Sequence, residues 1–358
     1  MKPHLFIVYI CFTLLSACKK DKAEPTPPDV YVAGSEINNA GRPVGKVWKN
    51  GELLQILSDG AEFTYIHSLF VTPSNDVYVA GQVVPSSFSS ASNAVLWKNG
   101  TRSPLGIGNT GAARGRAISV YVQSNDVYVA GEFVGRDAAF NDTTVAVLWK
   151  NGSPSLLSTK HSSASDVFVD GNDVYVVGYE RNSLNRDVVK IWKNGDPIIF
   201  TTGGNSARAF SGCVHQGDIY AVGWEQNASN KLVAKLWKNG VSTSLSDGSQ
   251  STTAASIYIS GEDIYIAGYE SINSFGDRSA ILWKNGVSTK LSPGNQHSSA
   301  GDVVVHDGEV YVSGDELRIV NSTGVATALV WKNGVATDLQ LENPTKSSAA
   351  NSVFIKHP

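Results

Sequence analysis

The tetrapeptide Trp-Lys-Asn-Gly recurs seven times along the chain, about once every 47 residues, and constrains the fold more than any other feature. Its copies begin at Trp48, Trp97, Trp149, Trp192, Trp237, Trp283 and Trp331. A second run, of the type Asp-Val-Tyr-Val-Ala-Gly, precedes each copy and occupies Asp29 to Gly34, Asp76 to Gly81, Asp126 to Gly131, Asp173 to Gly178, Asp218 to Gly223, Asp263 to Gly268 and Glu309 to Gly314. Self-similarity at a fixed period indicates a repeat architecture, in which each unit packs on its neighbours.

Each repeat is predicted to form four short strands, named A to D in chain order. Strand A is a run of the type Ser-Val-Tyr-Val, found at Ser68 to Val71, Ser119 to Val122, Asp166 to Val169, Ser211 to Val214, Ser256 to Ile259, Asp302 to Val305 and Ser352 to Ile355. Strand B is the run that ends in glycine, and strand C ends in Trp-Lys. The Asn-Gly pair then accepts the positive φ values of a two-residue type I′ turn, and strand D follows.

This pattern predicts an all-β fold, a seven-bladed β-propeller of four-stranded blades. No helical periodicity is visible in the sequence. The repeated tryptophan is expected to fill the wedge between neighbouring blades. The chain begins with a strand B at Val30 and ends with an unpaired strand A, Ser352 to Ile355. Joining these two strands closes the ring and removes free sheet edges, so a single propeller domain is predicted over residues 29–358.

The first 28 residues have the pattern of an export signal followed by a tether. Lys2 precedes an apolar run, Leu5 to Leu15, which is too short to span a bilayer comfortably. The stretch Leu15-Ser16-Ala17-Cys18 resembles a bacterial lipobox. That resemblance implies a signal peptide over residues 1–17, acyl chains on Cys18 and a proline-rich flexible tether over residues 18–28. An ordinary secretory signal with an incidental cysteine is the alternative.

Two further resemblances concern where the protein is found. Lys19-Lys20-Asp21 is similar to the charged tags of surface-exposed lipoproteins in Bacteroidetes. The layout Ala-x-Leu-Trp-x-Asn-Gly, followed by a strand, an alanine and a hydrophobic run, resembles the HAF-type extracellular repeats of bacterial surface proteins, although the histidine-alanine-phenylalanine element is missing. Together they imply a bacterial outer-membrane lipoprotein, exposed at the cell surface and bound to the membrane through its lipid anchor, with no particular activity.

Composition and cysteine usage exclude several classes of protein. A net charge of -3, with no basic run longer than Lys19-Lys20, argues against a nucleic-acid partner. Cys213 is the single cysteine of the predicted propeller, so the fold holds without an internal disulfide, and we interpret this residue as a small apolar filler. The sequence shows no metal-ligand spacing and no nucleophile-base set, so no metal and no cofactor are predicted. The protein is expected to be monomeric.

The loops that differ between blades define the candidate binding surface. The A–B and C–D connectors are alike from blade to blade, whereas the B–C and D–A connectors are longer and differ in every blade. In a propeller the two sets emerge at opposite ends, giving a uniform face and a variable face, and function tends to lie on variable loops. The candidate residues in the D–A loops are Arg114, Arg116, His161, Arg208 and His297, and those in the B–C loops are Arg181, Trp224 and Arg278.

The arginines of this set indicate recognition of carboxylates on a glycan or a peptide through bidentate hydrogen bonds. The alternative is that they are solvated or pair with nearby acids. His161 and His297 occupy matching His-Ser-Ser-Ala segments, and each has the chemistry of a general base, but they lie three blades apart.

A glutamate follows strand B in most blades and raises the question of a cation site. The residues are Glu36, Glu180, Glu225, Glu270 and Glu316, with Glu132 one place earlier and Gln82 in the remaining blade. A ring of carboxylates would suit a cation. Repetition favours a structural role instead, such as accepting loop N–H bonds or pairing with Lys46, Lys190 or Lys235.

The function predicted from the sequence is that of a membrane-anchored extracytoplasmic binding or interaction module for a glycan, a peptide or a partner protein. The alternative is a polysaccharide- or glycoconjugate-active enzyme with its site in the central funnel of the variable face.

The predicted surface location has a direct test. If Cys18 anchors the propeller on the outside of the cell, a protease added to intact cells degrades it, because the tether and propeller are then accessible. Immunoblotting of shaved cells measures the loss, with a periplasmic protein as the intact control. Complete protection of the propeller would contradict the outward placement.

Overall fold

The computed structural model describes residues 27–86, 92–106, 114–136, 142–273, 276–292 and 296–356. Within these residues, 28 β-strands form seven antiparallel sheets of four strands each. Each sheet is one blade, so the predicted seven-bladed propeller is confirmed. The signal peptide, Cys18 and the tether up to residue 26 lie outside the described residues, as does Asp137 of one B–C loop. In the part of the chain that is described, no helix has the length and apolar character needed to cross a membrane.

The blades are numbered in chain order, and the strands of each run from inner strand A to outer strand D. Blade 1 contains β28 (Ser348–Lys356), β1 (Asp29–Ile37), β2 (Pro43–Lys49) and β3 (Glu52–Ile56). Blade 2 contains β4 (Phe63–Val71), β5 (Val77–Val84), β6 (Asn93–Lys98) and β7 (Thr101–Pro104). Blade 3 contains β8 (Arg114–Gln123), β9 (Asp126–Arg136), β10 (Asp142–Lys150) and β11 (Ser153–Leu156). Blade 4 contains β12 (Ser162–Asp170), β13 (Asp173–Arg181), β14 (Asp187–Lys193) and β15 (Asp196–Ile199).

The remaining three blades repeat this order. Blade 5 contains β16 (Ala207–His215), β17 (Asp218–Gln226), β18 (Leu232–Lys238) and β19 (Val241–Ser244). Blade 6 contains β20 (Thr252–Ser260), β21 (Asp263–Ser271), β22 (Arg278–Lys284) and β23 (Val287–Lys290). Blade 7 contains β24 (Ser298–His306), β25 (Glu309–Val320), β26 (Thr323–Lys332) and β27 (Val335–Asp338).

The ring is closed by pairing between the first and last strands of the chain, as the sequence predicted. Strand β28 pairs with β1 in antiparallel register, with Ile355 opposite Val30 and Val353 opposite Val32. The last strand of the chain is therefore the innermost strand of the first blade. This pairing holds the two ends of the repeat array together.

The glycine that ends every strand B motif is required by a β-bulge. In blade 4, Ala164 pairs with Gly178 and Asp166 pairs with Val177, so Ser165 is left without a partner. A Cβ atom on Gly178 would lie 2.0 Å from the carbonyl oxygen of Ser163, which no side chain tolerates. The bulged residues of the seven blades all line the central channel; they are His67, Ile118, Ser165, Phe210, Ala255, Gly301 and Asn351.

The repeat tryptophans hold neighbouring blades together, as the sequence predicted. All seven are at most 1% exposed. Four of them donate an indole N–H to a carbonyl that follows strand D of the preceding blade, as Trp97 does to Leu57 at 3.0 Å. All seven rings therefore contribute buried apolar area at a blade boundary, and these four add a hydrogen bond across it.

The rest of the Trp-Lys-Asn-Gly motif forms a polar cluster on the uniform face. In blade 3, Lys150 lies 2.8 Å from Asp126 and 5.2 Å from the ring centroid of Tyr128. Asn151 donates to Asp126 and accepts the N–H of Val127. Hydrogen bonds from Lys150 and Asn151 lower the pKa of Asp126. The same arrangement occurs in every blade, so these lysines are matched by acids and serve the scaffold.

A belt of hydrogen bonds around the channel links the inner strands. Ser119 of blade 3 donates to Asp166 of blade 4 at 2.7 Å, and the Gly212 N–H of blade 5 donates to Asp166 at 3.1 Å. In blade 7, Asp302 accepts bonds from Ser256 and Ser352 of the two flanking blades. Burial raises the pKa of Asp166 to about 6, and the charge of Asp302 across the ring contributes to this rise. Asp166 of blade 4 and Asp302 of blade 7 both line the channel.

Removal of the closing strand tests this architecture. Deleting residues 352–358 takes away Val353 and Ile355, which are buried against blade 7, and the bond from Ser352 to Asp302. We expect the melting temperature to fall by roughly 5 °C or more, because two buried aliphatic side chains and half a strand are lost. Differential scanning calorimetry measures the change, and removal of residues 357–358 alone is the control. An unchanged melting temperature would contradict closure by β28.

Candidate functional site

The inner strands enclose a central channel with a volume of about 660 Å³. Its two mouths differ in chemistry. At the uniform face the wall is largely aromatic and includes Phe70, Tyr121, Phe168, Tyr258 and Phe354. At the variable face it is polar and charged and includes His67, Arg116, Glu132, Tyr179 and Arg208. The variable-face mouth therefore holds the groups with binding or acid-base chemistry.

Most of the candidate residues lie in strands, which corrects the loop positions predicted from the sequence. The six residues that lie inside strands are Arg114, Arg116, Arg181, Arg208, Trp224 and Arg278. The reason is that strand pairing continues beyond the repeat motifs, so that Arg116 lies opposite Glu132 and Arg208 lies opposite Trp224. His161 and His297 lie directly before β12 and β24. These side chains are thus positioned by regular sheet rather than by loops.

Two arginines share one buried carboxylate at the centre of the site. The side chain of Asp187, at the start of β14, is 6% exposed. Arg181 contacts it through Nε at 2.9 Å, and Arg208 contacts it through Nε at 2.8 Å and Nη2 at 2.6 Å. Burial alone would raise the pKa of Asp187, but hydrogen bonds from the two guanidinium groups outweigh it and lower the pKa. Two positive charges against one negative charge leave this group with a net positive charge.

Three aromatic residues lie beside arginines of this face, and each of them directly follows the glycine of its strand B. The guanidinium carbon of Arg208 lies 4.1 Å from the ring centroid of Tyr179 and 5.7 Å from that of Trp224. In the next blade, Arg278 lies 4.2 Å from the ring centroid of Tyr269. Blades 4, 5 and 6 therefore present an arc of aromatic rings and guanidinium groups around the mouth.

A neutral histidine and a second ion pair border this arc. Glu132 is 3% exposed and accepts a hydrogen bond from Nε of Arg116 at 2.7 Å. His161 lies with its Nδ1 3.3 Å from the Thr144 hydroxyl and its ring centroid 5.9 Å from that of Tyr179. Burial, with the charge of nearby Arg181, lowers the pKa of His161. The imidazole is therefore uncharged at neutral pH and has the capacity to accept a proton.

The candidate residues fall into two groups rather than one. Arg116, His161, Arg181, Arg208 and Trp224 come together on blades 3 to 5. Arg278 and His297 belong to a second group on blades 6 and 7, described below with Asp277 and Asp315. Arg114 lies on β8 opposite Val134. The first group is larger and lies partly in the channel wall, so we take it as the principal candidate site.

In the second group, His297 stands between two carboxylates. Its Nε2 atom lies 3.8 Å from Asp315, and its Nδ1 atom lies 3.6 Å from Asp277. Burial raises the pKa of Asp315 to about 6, although the charges of His297 and Arg278 oppose the rise.

Sequence reasoning missed Tyr179, Tyr269 and Asp315. A signal for them exists, because the residue after the strand B glycine varies between blades, with six residue types in seven copies, although its neighbours largely repeat. These residues are Ser35, Gln82, Glu132, Tyr179, Trp224, Tyr269 and Asp315. A position that varies between blades, within a motif that otherwise repeats, thus indicates the channel mouth.

The structural interpretation of the repeated glutamates is supported by their contacts. Glu36 pairs with the buried Lys46 and accepts the N–H groups of Glu342 and Asn343. Glu180 lies 3.6 Å from Lys190, and Glu225 lies 3.3 Å from Lys235. Across the described ranges, no group of three or more His, Cys, Asp or Glu side chains is arranged to hold a metal ion.

The B–C loops are less variable than the sequence predicted. In blades 1, 4 and 5 the side-chain carbonyls of Asn38, Asn182 and Asn227 each accept the N–H groups two and four residues further on. The side-chain amides of Asn38 and Asn227 also donate to the carbonyls of Gly60 and Gly248 in the adjoining D–A loops. A shared asparagine turn therefore fixes these three loops, although the other loop residues differ.

Comparison with known proteins supports the fold. No protein-family model matches this sequence, and no curated protein matches it. The puromycin-hydrolyzing peptidase of Mycobacterium tuberculosis has 11% sequence identity and a TM-score of 0.56 over 89% of this chain and 53% of that one, so this chain spans about half its length. The β-propeller domain of the Trilobed protease from Pyrococcus furiosus, with an open velcro topology, has 11% identity and a TM-score of 0.52 over 89% of this chain and 99% of that domain. Identity this low shows the fold alone, and the ring is closed here by β28 and β1.

The shared carboxylate makes a prediction about stability. In Asp187→Asn, Arg181 and Arg208 lose their common anion, and we expect the melting temperature at pH 7 to fall by about 2 °C. Because the pKa of Asp187 is lowered in the folded state, its stabilising effect is present above about pH 4 and is lost as the pH falls through the folded pKa. The difference between variant and wild type therefore shrinks in acid.

Thermal unfolding monitored by circular dichroism between pH 3 and pH 8 measures both effects. Asp126→Asn, which removes an exposed ion pair on the uniform face, is the control and is expected to change little. A pH-independent difference for Asp187→Asn would contradict the assignment.

Proposed function

We propose that this propeller is a binding module that recognises a carboxylate-bearing ligand, a glycan or a peptide, at the variable-face mouth of its channel. The observation that carries this proposal is the pair of arginines around Asp187, which leaves a positive charge in a partly enclosed site. A ligand carboxylate would restore the charge balance and gain charge-assisted hydrogen bonds.

The arginines retain donors for such a ligand. Arg181 engages Asp187 through Nε alone, and Arg208 engages it through Nε and Nη2. Their side chains are 38% and 32% exposed, so they are held in place and still reachable. A guanidinium already fixed by a carboxylate and an aromatic ring loses little conformational entropy when it binds a second anion.

The aromatic arc supplies the second part of the recognition. Trp224 lies beside Arg208, Tyr269 lies beside Arg278, and both rings are partly exposed. Such rings provide apolar contact for a sugar ring or a peptide side chain at little entropic cost. Cationic and aromatic groups together suit a ligand that has both a carboxylate and an apolar face, such as an acidic glycan or a peptide.

We extend the proposal to the location of the protein. The apolar run before Cys18 and the proline-rich segment after it support a lipid-anchored, extracytoplasmic propeller on the bacterial outer membrane, exposed at the cell surface. In that setting the tether would hold the propeller as a monomer close to extracellular glycans, peptides or partner proteins.

A second candidate function, an enzyme acting on a polysaccharide or glycoconjugate, is favoured by one observation. His161 is uncharged at neutral pH and lies beside Tyr179 and the arginines that would hold a substrate carboxylate. A neutral imidazole at this point is suited to accept a proton from a bound substrate.

The binding proposal is tested on an array that pairs each uronate-containing oligosaccharide with its neutral counterpart, and each peptide acid with its amide. Wild-type protein should prefer the acid of a pair, and Arg208→Ala should weaken that binding about tenfold or more, because a charge-assisted contact is lost. Arg318→Ala, which removes an arginine paired with Glu316 and Asp338 on blade 7, is the matched control and should bind as wild type does.

Equal binding of acids and neutral counterparts would contradict the proposal.

Mass spectrometry of the ligands after incubation distinguishes the binding module from the enzyme. Shortened products that disappear in His161→Ala would establish the enzyme, whereas unchanged ligands support the binding module.

A further inference from the structure

The carboxylate of Asp315 is largely buried but accepts no hydrogen bond from any described residue. Its side chain is 16% exposed, and the nearest basic side chain is His297, whose Nε2 atom lies 3.8 Å away, beyond hydrogen-bonding distance. The other charged group that faces it is Arg278, and Asp277 lies on the far side of His297. A carboxylate this deep is normally paired or hydrogen-bonded, since burying an unpaired charge costs free energy.

The equivalent residue of blade 3, Glu132, is an acid at this position that does accept a hydrogen bond. Glu132 and Asp315 both follow the strand B glycine, and both lie opposite a strand A residue. That residue is Arg116 in blade 3, which donates to Glu132, but it is Ser299 in blade 7. Blade 7 therefore has the acid of this pair but no arginine opposite it.

We propose that Asp315, with His297 beside it, binds an ammonium group of the ligand, and that the ligand is a peptide with a free amino group. An ammonium group supplies both the positive charge and the N–H donors that the carboxylate lacks. The inference rests on the proposed carboxylate site for the other end of the ligand.

The two sites lie on one mouth of the channel. Tyr179 in blade 4, Trp224 in blade 5 and Asp315 in blade 7 occupy the same register position, so by the symmetry of the ring they surround the same opening. Deeper in the channel, Asp166 of blade 4 and Asp302 of blade 7 line the same cavity. A positive group on blades 4 and 5 and an unpaired acid on blade 7 therefore face one ligand with opposite charge requirements.

The first test uses stability, because an unpaired acid and a structural acid give opposite signs. The raised pKa of Asp315 means that its ionised form destabilises the folded state above about pH 6, and that this penalty disappears towards pH 4. Asp315→Asn should therefore raise the melting temperature at pH 7.5 by about 2 °C and have little effect at pH 4.5.

Glu132→Gln is the matched control, at the same register position with its cation present. It should lower the melting temperature at pH 7.5, because Arg116 loses its partner. A fall in the melting temperature of Asp315→Asn at pH 7.5 would show that Asp315 has a structural partner and would overturn the inference.

The second test uses binding, with random peptide libraries of two to six residues. The libraries have free termini, acetylated amino termini or amidated carboxyl termini, and binding is measured by competition in fluorescence anisotropy. Acetylation should weaken binding to the wild type about tenfold. Asp315→Asn should bind the free and acetylated libraries equally and remain sensitive to amidation.

The outcomes separate the two proposals. If acetylation has no effect on wild-type binding, the ammonium site is wrong, whatever amidation does. If acetylation matters and amidation does not, the ammonium site stands and the carboxylate site of the proposed function is wrong. Competition by oligosaccharides of glucosamine at the same concentration as the peptides would overturn the assignment of a peptide.

Discussion

The packing of the strand C tryptophan into the neighbouring blade is the contact on which the whole ring depends. A single four-stranded sheet exposes both faces, and the wedge between two blades widens away from the axis, so a large ring is needed to fill it. Seven tryptophans, each at most 1% exposed, fill the seven wedges. The hydrogen-bond belt around Asp166 and Asp302 joins the blades at the axis, where the wedge is narrowest. Together these contacts position every inner strand relative to the others.

These structural contacts determine which positions of the repeat can differ between blades. Side chains that contact the next blade, the bulge or the uniform-face cluster repeat from blade to blade, because each performs the same structural task. The bulged residue lines the channel instead and differs in every blade, and the residue after the strand B glycine, which lines the channel in blades 3 and 4, is of six types in seven blades. A rigid sheet rather than a mobile loop therefore holds Tyr179, Arg208 and Asp315, which favours a preorganised site.

The acids of the channel illustrate two ways of burying charge. Asp187 is surrounded by Arg181 and Arg208, and their hydrogen bonds lower its pKa despite burial. Asp315 has no such donors, and burial raises its pKa to about 6. A fold selected for stability alone has no reason to keep the second arrangement. Its position at the mouth, opposite a group with excess positive charge, is the basis for the ammonium site that we propose.

The sequence by itself determined the number of blades, the four strands of each, the type I′ turns and the closure of the ring, because these follow from local patterns that recur seven times. It also identified the arginines and histidines of the variable face. The tertiary structure decided which of them meet: Arg181, Arg208 and Trp224 belong to different strands, and Arg278 and His297 form a separate group. It also added Tyr179 and Asp315, because a bulge shifts the strand register and so sets which residues line the mouth. Register depends on pairing between strands, and no run of residues read alone specifies it.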